Sequence, residues 1–93
     1  MKTEILISKK AQKSIIKMPT YIVEKLRNWV IQVEYLGLNK VKEIKGYHDE
    51  ILIGNRKGQR SIRLNNAYRA IYILTENEEI ELIEIVDVNK HKY

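Results

Sequence analysis

The chain has 93 residues, of which 44% are hydrophobic and 31% are charged, and this composition predicts one globular domain over residues 1–93 that is not disordered. The absence of cysteine excludes a disulfide framework, a thiolate metal site and a cysteine nucleophile. No apolar run approaches the ~20 residues of a membrane span, and the N-terminus lacks a signal-like segment, so we expect a cytoplasmic protein without membrane contact. The formal net charge of +5 indicates an anionic partner, either nucleic acid or an acidic protein segment.

The first part of the chain predicts a strand and two helices. Residues 3–7 are apolar and β-rich, and Ser8 can cap a helix over residues 9–18, which Pro19 ends. A second helix over residues 21–36 carries one apolar stripe that is expected to face the core: Ile22, Leu26, Trp29, Val30, Val33 and Leu36.

The middle of the chain has weaker signals. Residues 37–49 are interpreted as a connection, in which Val41 and Ile44 can dock on the core. Gly54 and Gly58 then enclose a basic loop, which is either an ordinary turn or a backbone nest for an anion.

Residues 54–73 hold four of the five arginines and predict a basic β-hairpin, with strands over residues 61–64 and 68–74. A two-residue loop would mix apolar and charged side chains on each face. A three-residue loop over residues 65–67 instead collects one apolar face, and we prefer it because burying that face outweighs the ~1–2 kcal/mol of a strained turn residue. The apolar face then comprises Ile62, Leu64, Tyr68, Ala70, Tyr72 and Leu74.

This register places Arg63 and Arg69 side by side on the opposite face. Two neighbouring guanidinium groups repel each other unless an anion lies between them, and a phosphate fits the planar fork of arginine. The alternative is a pair of solvated arginines that are neutralised by glutamates elsewhere.

Residues 80–88 are apolar on both faces, as in a strand at the centre of a sheet. Because helices come early and strands late, the predicted fold class is α+β: a small, curved, mainly antiparallel sheet with an N-terminal helical hairpin packed on one face. Arg63 and Arg69 are expected on its exposed face.

Three features together resemble the RelE/ParE toxin superfamily, and most closely its HigB-like branch. They are the segment GNRKGQRSIRL at positions 54–64, the Tyr68–Arg69 pair, and a last strand that ends in a His-x-Tyr tail. The resemblance covers the whole chain in element order and implies the RelE-like fold.

The resemblance also implies roles for particular residues. Arg69 matches the family arginine that contacts the scissile phosphate, while Arg63 and Ser61 fall where RelE-type toxins place lysines. His48 lies near the position of a functional histidine in HigB-type toxins, and His91 and Tyr93 supply the side chains of the family tail in another order. Further substrate contacts are expected from Arg56, Lys57, Arg60 and Lys90.

The implied activity is ribosome-dependent cleavage of mRNA in the A site, without a metal or cofactor. Such cleavage requires a base for the 2′-OH, an acid for the leaving oxygen, and cations for the charge on phosphate. We assign Arg69 and Arg63 to the phosphate and His91 to proton transfer, because histidine titrates near pH ~6.5. Tyr93 is the second choice, and His48 is a further candidate.

The expected partners are a cognate, HigA-like antitoxin, the ribosome and mRNA. The toxin–antitoxin complex is expected to be oligomeric and to bind DNA through the antitoxin. The alternative is a ParE-type toxin that inhibits DNA gyrase without being an enzyme, although such an inhibitor has no need of the proton-transfer groups in the tail.

Overall fold

The computed structural model describes residues 2–90. Its elements are β1 (Lys2–Ile7), α1 (Lys9–Ile16), α2 (Thr20–Leu36), α3 (Leu38–Val41), β2 (Glu50–Ile51), β3 (Arg60–Arg63), β4 (Tyr68–Glu76) and β5 (Ile80–Lys90). Short turns of 3-10 helix occupy Lys45–Tyr47 and Gly54–Arg56. Among the described residues, no helix is both long enough and apolar enough to cross a membrane.

The five strands form one sheet in the order β1-β5-β4-β3-β2. All neighbouring pairs are antiparallel except β1 and β5, which run parallel at one edge. β5 therefore lies between two strands, as its apolar residues on both faces predict. The predicted α+β class and its mainly antiparallel sheet are confirmed.

The N-terminal helices pack on one face of this sheet and enclose the core. Ser8 caps α1, because its Oγ accepts a hydrogen bond from the N–H of Ala11 at 3.1 Å, and α1 ends two residues earlier than predicted. Trp29 of α2 is fully buried, with its ring centroid 5.2 Å from that of Tyr72. Gly37 ends α2 with φ +83°, a conformation that favours glycine.

The segment interpreted as a connection contains the short helix α3, which the sequence did not predict. Val41 at its end is fully buried and Ile44 packs against the core, as expected of both. A four-residue helix is too short to show an apolar period, so its formation depends on docking.

The predicted hairpin register is confirmed. Arg63 lies opposite Arg69, and the N–H of Leu64 donates to the carbonyl of Tyr68 at 2.9 Å, which leaves a three-residue loop. Asn65 fixes the loop, since its Oδ1 accepts hydrogen bonds at 2.7 Å from the N–H groups of Ala67 and Tyr68.

The arginine face of the sheet is less exposed than expected. Ile71 lies on it but is fully buried, whereas Arg63 is exposed. The basic loop reaches this part of the sheet through Arg56, whose guanidinium binds Asp87, the strand neighbour of Ile71. The contact between Arg56 and Asp87 is long-range and has no local sequence signal.

Candidate functional site

The arginine pair lies where β3 and β4 enter their hairpin. Arg63 and Arg69 are directly opposite in the register, so their side chains leave the same face of the sheet. Arg63 is exposed and Arg69 is half-buried. Like charges in directly opposed positions destabilise a strand pair, and an anion bound between them would remove that repulsion.

A pocket of about 90 Å³ opens beside this pair. Besides the two arginines it is lined by His48, Glu50, Ser61, Ile62, Asn65, Asn66 and Tyr68. Nε2 of His48 lies 3.4 Å from Oε2 of Glu50, and both side chains are about half exposed. The pocket therefore combines two guanidinium groups with an imidazole and a carboxylate.

Asp49 holds the segment that carries His48 and Glu50. Its side chain is only 1% exposed, and its two oxygens accept hydrogen bonds from Nε of Arg60 at 2.7 Å and from the hydroxyl of Tyr72 at 2.6 Å. Burial raises the pKa of the Tyr72 hydroxyl, and the carboxylate of Asp49 raises it further, so Tyr72 remains a hydrogen-bond donor. His48 adopts φ +46°, in the left-handed region, immediately before this anchor.

A second buried carboxylate, Asp87, lies on the arginine face of β5. Its Oδ2 accepts hydrogen bonds from Arg56 at 2.6 Å and Asn89 at 3.0 Å, and lies 3.5 Å from Nζ of Lys10. Burial alone would raise the pKa of Asp87, but the hydrogen bond from Asn89 and the charges of Lys10 and Arg56 together lower it. Asp87 is therefore a charged group with three partners.

The structure brings together four of the predicted site residues in the pocket: Arg69, Arg63, His48 and Ser61. His91 and Tyr93 lie outside the described residues, so their roles stay predictions. Glu50 lines the same pocket and was missed from the sequence, because the two-residue strand β2 has no period to detect.

The other predicted substrate-binding residues lie outside the pocket lining. Arg60 is on the helix-covered face, where it binds Asp49, and the guanidinium of Arg56 binds Asp87. Lys57 is exposed in the basic loop. Lys90 is exposed at the end of β5, and strand alternation puts it on the face of Val88, opposite to that of Arg69.

The pocket residues can divide the work of phosphodiester cleavage. Arg63 and Arg69 can bind a phosphate and stabilise the charge that develops on it, because each presents a planar fork of donors. His48 and Glu50 can move a proton, since both residue types serve as general bases.

Comparison with solved structures shows that the chain shares its fold with toxins of toxin–antitoxin systems, in agreement with the RelE-like fold that the resemblance implies. YafQ from E. coli superposes with a TM-score of 0.76 at 18% identity, covering 97% of this chain and 94% of YafQ. A YoeB/ParE toxin from Agrobacterium tumefaciens gives a TM-score of 0.74 at 16% identity, covering 99% of this chain and 100% of that toxin.

The YoeB–YefM complex from Staphylococcus aureus provides a third match, with a TM-score of 0.71 at 21% identity, covering 99% of this chain and 100% of the matched one. A toxin–antitoxin complex of YafQ with DinJ from E. coli also matches. No protein-family model matches the chain, and no curated protein matches it in sequence. At these low identities the superpositions establish a shared fold, and the HigB-like assignment stays a prediction.

Proposed function

We propose that this chain is the toxin of a type II toxin–antitoxin system and acts as a ribosome-dependent endoribonuclease that cuts mRNA in the A site. The observation that carries the proposal is the pocket, in which Arg63 and Arg69 lie beside His48 and Glu50. The shared fold with YafQ and YoeB supports it.

In the proposed reaction, a 2′-OH of the mRNA attacks the adjacent phosphate. The His48–Glu50 pair, 3.4 Å apart, takes the 2′-OH proton. Arg63 and Arg69 bind the phosphate oxygens and stabilise their growing charge. The bond to the 5′-oxygen breaks, His91 or Tyr93 supplies the proton to that oxygen, and the products are a cyclic phosphate and a 5′-OH end.

The proposed partners follow from the charge and from the matched complexes. The net charge of +5 favours contact with the phosphates of ribosomal RNA, with release of counterions. Because YoeB was solved with YefM and YafQ with DinJ, we propose that this chain also has a cognate antitoxin. An acidic segment of that antitoxin would complement the arginine face. A HigA-like identity and DNA binding through the antitoxin remain part of the proposal.

The test is mRNA cleavage on programmed ribosomes by toxin purified free of antitoxin. We expect the wild type to cut in the A site, and Arg69→Ala to lose about 100-fold or more in rate, as for removal of a group that stabilises charge in the transition state. Glu50→Gln tests the base role and is expected to lose about 100-fold, a typical contribution of general base catalysis.

Arg27→Ala is the matched control, because Arg27 is an exposed arginine of α2 and does not line the pocket. It should cleave at the wild-type rate. Wild-type toxin that leaves mRNA intact on ribosomes yet arrests cell growth would refute the nuclease proposal and direct the next assay to DNA gyrase. Equal losses in Arg27→Ala and Arg69→Ala would refute the assignment of the pocket.

A further inference from the structure

Two polar side chains of β5, Asn89 and Asp87, are linked to Arg69 by successive hydrogen bonds. Asn89 is its strand partner, and the side-chain Oδ1 of Asn89 accepts a hydrogen bond from Nε of Arg69 at 3.2 Å. Nδ2 of the same amide donates to Oδ2 of Asp87 at 3.0 Å. Arginine has only donors and an ionised aspartate has only acceptors, so the amide of Asn89 has a single orientation that satisfies both.

The side chain of Asp87 is in turn restrained by contacts with other segments of the chain. It is 7% exposed and is bound by Arg56 at 2.6 Å and by Lys10 at 3.5 Å. These contacts come from the basic loop and from the first turn of α1. The orientation of Asn89 is therefore supported by two segments other than the hairpin.

A neutral amide suits this position for an electrostatic reason. A carboxylate at position 89 would neutralise Arg69, which must attract an anion, and it would also repel Asp87. Asn89 instead orients the guanidinium without adding a negative charge beside it. The negative charge that fixes the amide is on Asp87, where Arg56 and Lys10 compensate it.

We propose that Asn89, supported by Asp87, is a positioning residue that sets the direction of the Arg69 guanidinium toward the phosphate of the RNA substrate. This inference rests on the proposed function. The contact uses one of the five N–H donors of the guanidinium and restrains a side chain that is otherwise mobile about several bonds. Bidentate recognition of a phosphate requires the guanidinium plane to be oriented so that two N–H groups reach two oxygens. An Arg69 side chain without this restraint would adopt that orientation less often.

The first test measures single-turnover cleavage by Asn89→Ala on programmed ribosomes. Misplacement of a reacting group by about 1 Å costs up to about 100-fold, so we expect the rate at saturating ribosomes to fall about 10- to 100-fold. The ribosome concentration that gives half the maximal rate should change much less. Asn28→Ala, on the exposed side of α2, is the matched control and should behave as wild type.

A double mutant separates positioning from a general structural effect. In an Arg69→Ala background there is no guanidinium to position, so adding Asn89→Ala should lower the remaining rate by less than about twofold. If Asn89→Ala alone cleaves at the wild-type rate, or if it lowers the Arg69→Ala rate by the same factor as the wild-type rate, the proposal is overturned.

A second measurement does not require cleavage. In the free protein, hydrogen exchange of the Arg69 Nε–H, followed by NMR, should be slowed in the wild type, and Asn89→Ala should lose this protection. Unchanged exchange in Asn89→Ala would overturn the positioning role whether or not the protein is a nuclease. Suppose that the wild type cleaves no mRNA, but that its Arg69 Nε–H is protected and Asn89→Ala abolishes this protection. This combination would support the contact between Asn89 and Arg69 and refute the proposed function.

Discussion

The contacts of Asp87 indicate that its carboxylate contributes substantially to the stability of the fold. The substitution Asp87→Asn tests this contribution. The change keeps the shape of the side chain but removes its charge. Because Arg56, Asn89 and Lys10 all contact Oδ2, an amide oxygen in its place would still accept hydrogen bonds but would lose the attraction of the two cations. Asp87 is 7% exposed, so water cannot replace the lost attraction fully. The free energy of unfolding should therefore fall substantially at neutral pH.

The size of the effect follows from the two cationic contacts, those of Arg56 and Lys10. The hydrogen bond from Arg56 at 2.6 Å is charge-assisted and is worth about 1.5–3 kcal/mol, although Arg56 is 31% exposed, which favours the lower end. Lys10 is 69% exposed and adds roughly 0–1 kcal/mol. We expect a total loss of about 1.5–2.5 kcal/mol, which lowers Tm by roughly 6–20 °C in a domain of this size.

The pH dependence gives a second, sharper criterion. Because the pKa of Asp87 is lowered in the folded protein, its stabilising contribution is fully present above the unfolded-state pKa of about 3.9 and is lost as the pH falls through the folded-state pKa. In urea unfolding followed by circular dichroism, wild type and Asp87→Asn should therefore differ most near neutral pH and converge below about pH 4.

The control for this experiment is Glu78→Gln, which makes the same chemical change in the exposed turn before β5. It should shift the free energy of unfolding by no more than about 0.5 kcal/mol. Equal stability of Asp87→Asn and wild type at neutral pH, or a difference that stays constant on acidification, would refute the role given to this carboxylate.

Two further predictions concern the hydrogen bond of Tyr72 and the backbone of Gly37. Tyr72→Phe leaves Asp49 with one fewer donor and should cost about 1–3 kcal/mol in urea unfolding, whereas Tyr35→Phe, at an exposed tyrosine, should cost almost nothing. Similar urea midpoints for Tyr72→Phe and Tyr35→Phe would contradict a stabilising role for the hydrogen bond from Tyr72 to Asp49. Gly37→Ala should destabilise by about 1–2 kcal/mol because of its φ of +83°, while Gly46→Ala, also in open space but without a positive φ, should not. If thermal unfolding gives the same loss of Tm for Gly37→Ala and Gly46→Ala, the positive φ of Gly37 is not the cause of the destabilisation.

The hairpin shows what the sequence alone can predict. Its register follows from alternation, because a slip by one residue would expose an apolar set that includes Ile62 and Ala70, both buried in the structure. The capped start of α1 and the buried Trp29 were predictable for similar reasons, since each depends on neighbours a few residues away.

Other features depend on partners that are distant in sequence. Arg56 meets Asp87 across 31 positions, and no local pattern indicates that pairing. Glu50 lies in a strand of two residues, which is too short for a period. Arg60 is different, because alternation from Ile62 already places it on the helix-covered face, and that signal was available in the sequence.

The parallel pairing of β1 with β5 has a consequence for the order in which the protein folds. Residues 2–7 pair with residues 80–85, so this edge of the sheet cannot form before residues 80–85 have been made. Contacts of such wide sequence separation slow folding. During synthesis β1 cannot pair with β5 until residues 80–85 emerge, and β5 also supplies Asn89 and Asp87 beside Arg69. A nascent chain therefore cannot assemble the arginine side of the pocket until residues 87–89 have been made.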